Sequence, residues 1–349
     1  MTKTLGNIIK FIVFLGVGVF LVWLITHKLT PTQWHRISQA FREANYWLLI
    51  PVAVLGFFSF FFRALRWRLL IRPLGYETGI FSIFSATMIG YMANLAVPRM
   101  GEVTRCGLVA RYEGIPVDKV IGTMLVERVI DVVCLALVMA VTVLGQLDIV
   151  GDFFYRNVLG KLRPEAAGNR WPLYLALLSV ALAGLLLVWI ASRVFRRSRW
   201  FIRLVALARG VQMGFLSIAR LRDRGQFLLH TVLIWLCYFL MVYAGFQCFS
   251  QTSGLGVGAG LSVLSFGSIG MILTQGGIGA YQLIVEKTLE LYGIMEAYGF
   301  AFGWLSWIAQ TLLILLLGFY CIIGTAFLKR KKTAARDEQP ETAAGPAGP

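Results

Sequence analysis

The stretch "YMANLAVPRMGEVTRCGLVARYEG", Tyr91 to Gly114, begins as an apolar helix and then places Pro98, Arg99, Gly101, Glu102 and Arg105 within eight residues. Proline interrupts a helix by removing a backbone donor, and it forces the preceding residue out of the helical region. A charged, proline-broken turn at the end of an apolar run is either a surface loop or a break buried inside protein. The rest of the chain decides between them.

Of 349 residues, 58% are hydrophobic and 14% charged, with mean hydropathy +0.73. Soluble domains carry about 25% charged residues. Residues 44–62, 78–98, 171–192, 225–285 and 297–328 contain no Asp, Glu, Lys or Arg. Each is long enough for a helix across a hydrocarbon core of about 30 Å. The composition is therefore that of an all-α polytopic integral membrane protein.

The net charge of +16 lies in short segments between apolar runs, where it reads as a topology signal and as contacts to anionic phospholipid rather than to nucleic acid. Cys106, Cys134, Cys237, Cys248 and Cys321 show no paired spacing, and His27, His35 and His230 are isolated, so neither a disulfide framework nor a metal or cofactor site is indicated. Phe11–Thr26 follows Lys3 and Lys10 without a small-x-small cleavage site, and reads as a retained first helix.

Arginine counting sets the topology. Residues 193–224 hold nine arginines against one acid, Asp223, and belong on the cytoplasmic side. Arg63, Arg66, Arg68 and Arg72, with Lys329–Lys332, point the same way. The first helix and Tyr46–Phe62 bring the chain out and back. Three apolar pieces follow before the nine arginines: Gly79–Pro98, Val120–Gly145 and Pro172–Ser192. Three full crossings would leave those arginines outside, so one piece must enter and return on one side, and the piece broken at Pro98 is the candidate. Downstream, Phe227–Phe249 leaves the cytoplasm and Ala297–Leu328 returns to it. The intervening segment therefore begins and ends outside, and it contains a second interrupted motif, "LTQGGIGAYQ", Leu273 to Gln282.

The expectation is about six full transmembrane helices plus two re-entrant helical hairpins of opposite orientation, an arrangement like an inverted repeat. Residues 1–330 would form one domain in a cytoplasmic membrane with both termini cytoplasmic, and 331–349 a disordered tail. Thr32–Asn45 places Trp34, Ile37, Phe41 and Ala44 on one face and reads as an interfacial helix.

Three features carry candidate chemistry. In "VERVID", Glu127, Arg128 and Asp131 share one broad helical face. A helix starting near Val117 rises about 1.5 Å per residue and buries them about half a bilayer deep. A central Asp or Arg costs about 2.5–3.5 kcal/mol there, so they are either a structural ion-pair lock or part of a substrate pathway. Around the first break, Arg99, Glu102 and Arg105 recur every three residues, and two guanidiniums beside a helix start suit a phosphate. At the second break, Gly276, Gly277 and Gly279 follow no strand and precede no Gly-Lys-Ser/Thr, which excludes a nucleotide loop and leaves a helix break or close helix contact. Beyond them, Lys287 can pair with Glu290, and Glu286 stands one turn away.

At these residues the chain resembles the transmembrane flippase domain of bacterial lysylphosphatidylglycerol synthetase/flippase proteins. Asn94, Pro98, Gly101, Glu102 and Arg105, then Gly114, then Glu127, Arg128 and Asp131, then Gly276, Gly277 and Gly279 carry the resemblance, over about residues 5–330. It implies lipid translocation between leaflets, of an aminoacylated phosphatidylglycerol or another lipid with a phosphate or sugar headgroup, with no cofactor. Homo-oligomerisation stays open. The family's bifunctional members continue into an aminoacyl-transferring domain that this sequence lacks, so synthase activity is not implied. Many members carry an acid where Gln282 stands, and Glu286 is the nearest carboxylate to replace it. Two other readings stay open: a membrane enzyme acting on a polyprenyl-phosphate or phospholipid headgroup, and an accessory subunit of an envelope-biosynthesis complex.

Overall fold

The computed structural model describes residues 30–97, 100–146 and 223–337, with isolated positions before residue 30 and side chains as far as residue 326. The expected first helix, the span Pro172–Ser192, most of the arginine-rich segment, and the end of the tail lie outside the described residues, as do Pro98 and Arg99.

Every regular element among the described residues is helical. The helices are α1 (Pro31–Glu43), α2 (Leu49–Ile71), α3 (Ile80–Ala96), α4 (Met100–Glu113), α5 (Val117–Gly145), α6 (Arg224–Phe246), α7 (Val257–Leu273), α8 (Ala280–Glu290) and α9 (Glu296–Asp337). Four spans are long and apolar enough to cross a membrane: Tyr46–Leu74, Val117–Gly145, Arg224–Phe246 and Glu296–Ala326. The chain is a multi-pass membrane protein.

Helices α3 and α7 have 17 residues each, about 25 Å, short of a full crossing. Each turns back into a partner, α3 into α4 and α7 into α8. Contacts at the two ends of the bundle fix their direction. At the first end, Arg72 Nη1 lies 3.1 Å from Asp223 Oδ2, and the Gly79 amide donates to Glu113 Oε1 at 3.4 Å. At the opposite end the Asn45 amide donates to the Cys248 carbonyl at 2.9 Å, and Gln146 Nε2 to the Gly258 carbonyl at 2.9 Å. Ser262 and Tyr292 hydroxyls also meet there, 2.8 Å apart. The α3–α4 hairpin thus opens at the first end, and α7–α8 opens at the opposite one.

Their tips meet inside the bundle. Gln275 Nε2 donates to the Asn94 carbonyl at 2.7 Å, and Trp307 Nε1 of α9 donates to the Gly276 carbonyl at 2.6 Å. Each hairpin has its own apolar core. Trp67, Ile83, Met88 and Val109 pack around α3–α4, while Phe246, Val285, Leu289 and Phe302 pack around α7–α8.

The local chemistry of both breaks follows from their residues. Val97, held extended before Pro98 (φ −139°, ψ 129°), ends α3, and Asn94 Oδ1 accepts the Gly101 amide at 2.7 Å. At the other tip Gly276, Gly277 and Gly279 have φ of 59°, 79° and 78°, a region that side-chain-bearing residues enter only at a cost. Gln282 Oε1 then accepts the Gly279 amide at 2.7 Å and starts α8.

Gly101 is where the first hairpin closes. A Cβ there would collide with the Gly90 carbonyl oxygen and with Asn94, backbone and cap together. Gly107, on the same helix, has open space around it. Gly101→Val is expected to cost about 1–3 kcal/mol or more, whereas Gly107→Ala should be neutral or slightly stabilising. Thermal midpoints of the two purified variants in detergent check this; equal midpoints would contradict it.

Helix α1 begins with Pro31 behind a reciprocal cap, in which Thr30 Oγ1 accepts the Gln33 amide and Gln33 Oε1 accepts the Thr30 amide. Its expected apolar face is real but rests on protein. Ile37, Ala40 and Ala44 are buried, and Phe41 meets Phe249 edge-on at 6.3 Å, leaving Trp34 half exposed.

Candidate functional site

The deepest polar feature is a guanidinium–carboxylate network built from α2, α4 and α5. Glu127, fully buried on α5, receives Arg63 Nη1 on Oε1 at 2.9 Å and Arg105 Nη2 on Oε2 at 2.6 Å. One turn on, Asp131 receives Arg63 Nη1 on Oδ2 and Arg66 Nη2 on Oδ1, both at 2.6 Å. Charge-assisted bonds of this length are the strong class.

Neighbouring side chains fix the arginines. Arg63 Nη2 donates to the Tyr238 hydroxyl at 3.1 Å. Arg66 lies over the Phe227 ring at 5.8 Å, and Arg105 lies over Trp67 at 4.3 Å. Trp67 itself is pinned by a 3.0 Å bond from Nε1 to Thr123. Aromatic faces stabilise desolvated cations, more so for arginine.

Arg128 and Glu102 form a looser rim. Arg128 Nε stands 3.4 Å from Glu102 Oε1, and Nη1 is 3.8 Å from Asp131 Oδ2; their side chains are 35% and 36% exposed. Arg128 is eleven residues beyond Val117, about 16 Å along α5, near half the depth of a bilayer. Glu102 follows Gly101 directly, so the rim begins where the hairpin tips touch.

The sequence placed Glu127, Arg128 and Asp131 on one face, and the structure agrees, with a change of roles. Glu127 is the centre and Arg128 the periphery. Of the phosphate site expected around the first break, Arg105 turns inward to Glu127, and the Gly101 amide is already taken by Asn94. Arg99 lies outside the described residues.

Arg63 and Arg66 require a correction. They read as part of a cytoplasmic arginine cluster after a span ending at Phe62, but α2 continues to Ile71 and buries both. Their signal was available: "FRALRW" contains no breaker before Pro73, and spacing of three sets both arginines on one helical face.

At the second hairpin, Gly276, Gly277 and Gly279 form the tip, and Gln282 is fully buried, with Oε1 capping α8 and Nε2 without a hydrogen-bond partner. Gly299 and Gly303 of α9 let the α8 backbone approach at Glu286 and Gln282 respectively. Glu286 lies toward the open end of this hairpin, where Lys287 Nζ reaches Glu286 Oε1 at 3.3 Å, Glu290 Oε2 at 2.9 Å and Glu296 Oε1 at 2.8 Å. Burial lowers the Lys287 proton affinity, but the hydrogen bonds to Glu296 and Glu290 outweigh it, and the ammonium is held well above its usual range. Glu286 is not brought to the Glu127 network. Among the described residues no cluster of His, Cys, Asp and Glu fits a metal ion.

Comparison with curated proteins and with solved structures gives no match. The family model described as lysylphosphatidylglycerol synthase TM region matches residues 7–318, which takes in the network, both hairpins, the first three described spans and most of the fourth. The chain belongs to the lysylphosphatidylglycerol synthase transmembrane-region family.

Proposed function

We propose that the chain moves a phospholipid or lipid-linked headgroup between the leaflets of a cytoplasmic membrane. One observation carries this reading: four arginines and three carboxylates gather at about mid-depth, beside the touching tips of two oppositely directed hairpins. Ionisable groups at that depth mark ion and substrate pathways. In this reading the hairpins are re-entrant and their broken ends line the route of the headgroup, while the acyl chains stay in lipid. Arg128 contacts the phosphate, Glu102 exchanges with it, and the inner arginines and carboxylates hold the field in place. Transport is driven by an ion gradient or by the lipid gradient itself.

Exposed apolar side chains such as Val132, Leu137 and Val141 on α5, with Leu316, Phe319 and Ile323 on α9, supply a lipid-facing surface. The basic loops face anionic lipid on the cytoplasmic side.

Two experiments test the reading. In a cysteine-free background, cysteines replacing Gly75 and Arg111 should react with an impermeant maleimide from one side, and those replacing Ser253 and Glu290 from the other. Labelling of positions 75 and 111 from opposite sides would remove the re-entrant hairpin. In proteoliposomes a phosphatidylglycerol reporter should change leaflet and be recovered chemically intact. A new covalent lipid product would favour a membrane enzyme, and neither movement nor product would favour an accessory subunit.

A further inference from the structure

Glu286 is a buried carboxyl that the Glu127 network does not use. Its side chain is 7% exposed, Oε2 is buried without a hydrogen-bond partner, and Lys287 Nζ stands 3.3 Å from the other oxygen. Lys287 is held more closely by Glu296 at 2.8 Å and Glu290 at 2.9 Å, whose side chains are 44% and 49% exposed. One turn earlier on the same face of α8, Gln282 Nε2 is also buried without a partner. Gly299 and Gly303 bring α9 against both positions.

Three carboxylates against one ammonium leave this group at −2. Water solvates Glu290 and Glu296, so the costly charge is that of Glu286. A buried carboxylate with an unpaired oxygen takes up a proton rather than bear that cost. The charged groups that face it are Lys287 and Glu290 of α8 and Glu296 of α9; α7, the other helix packed on α8, carries no titratable side chain. Burial raises the proton affinity of Glu286, Lys287 lowers it, and Glu296 and Glu290 raise it again, with the balance above the ordinary glutamate range. The hairpin that carries this charge is the one whose tip closes on Asn94 and Trp307.

We infer that Glu286 is a proton-binding site filled from the side at which the α7–α8 hairpin opens, and that its occupancy sets the rate of headgroup movement. The inference rests on the transport reading above and gives a ligand to a residue outside the Glu127 network. Uptake is an acid–base step: hydronium on that side gives its proton to Glu286, the group goes from −2 to −1, and Lys287 keeps both exposed partners.

The test follows a phosphatidylglycerol reporter in proteoliposomes of the full chain, from mildly acid to mildly alkaline buffer, a range in which the phosphodiester keeps its charge. Wild-type rates should change several-fold. Glu286→Gln, whose amide stands in for the neutral carboxyl, should keep one rate throughout; the wild type should approach that rate in acid and depart from it in alkali. A purely structural role would lower movement at every pH alike. Glu286→Asp keeps a titratable group and should retain a pH dependence. Changing pH only on the side from which Ser253→Cys is labelled should reproduce the effect. A wild-type rate independent of pH, the same pH dependence in a folded Glu286→Gln protein, or a response only to the opposite side overturns the inference and leaves transport standing. If no reporter moves, the transport reading falls and the control of its rate with it. Infrared difference spectra then decide the proton site by itself: a protonated-carboxyl band that titrates in the wild type and is missing from Glu286→Gln supports it, and no such band overturns it.

Discussion

A Glu127→Gln protein is expected to lose about 3–5 kcal/mol of stability, the cost of leaving a buried charge without its partner. The carboxylate is fully buried and binds Arg63 on one oxygen and Arg105 on the other, with Arg66 3.6 Å away. Neutralising it leaves three buried guanidiniums facing Asp131 alone. Glutamine keeps the shape, but its amide nitrogen points a donor at a donor. The thermal midpoint in detergent should fall by about 10 °C or more. Glu102→Gln, which removes a one-third exposed partner, should cost about 1 kcal/mol or less. Equal midpoints for the two variants would contradict the assignment of Glu127 as the centre of the network.

Much of this was legible in the sequence because membrane proteins write their constraints in charge. The parity of arginine-rich segments gave the expectation of a returning segment at Pro98; the structure pairs α3 with α4 around that position, and whether the pair re-enters from one side is what the maleimide labelling tests. Three glycines in four residues marked the second tip, and their positive φ angles explain the need. What stayed hidden depended on contacts between distant segments. For Arg63 and Arg66 the unbroken helix and the shared face were readable in "FRALRW", but their partners, the α5 carboxylates more than sixty residues away, were not. Gln282 sat at a position suggestive of transport, but the Gly279 amide and the close α9 glycines make it a cap. The contact between Gln275 and the Asn94 carbonyl joins two breaks 181 residues apart and has no local signature.

The second large effect concerns Arg128, and it separates function from stability. Because Arg128 makes only long contacts at the rim, its removal should leave the inner network intact. Arg128→Ala is expected to express and fold, with a midpoint within a few degrees of wild type, and yet to lose phosphatidylglycerol movement by tenfold or more. Arg128→Lys keeps the charge without the planar fork and should retain part of the rate.

Leaflet-resolved movement of phosphatidylglycerol in proteoliposomes, comparing wild type, Arg128→Lys and Arg128→Ala at matched folding, tests the central claim most directly. The account predicts movement that falls in that order, to the protein-free level for alanine. Wild-type rates in the alanine variant would contradict a headgroup route through the buried network.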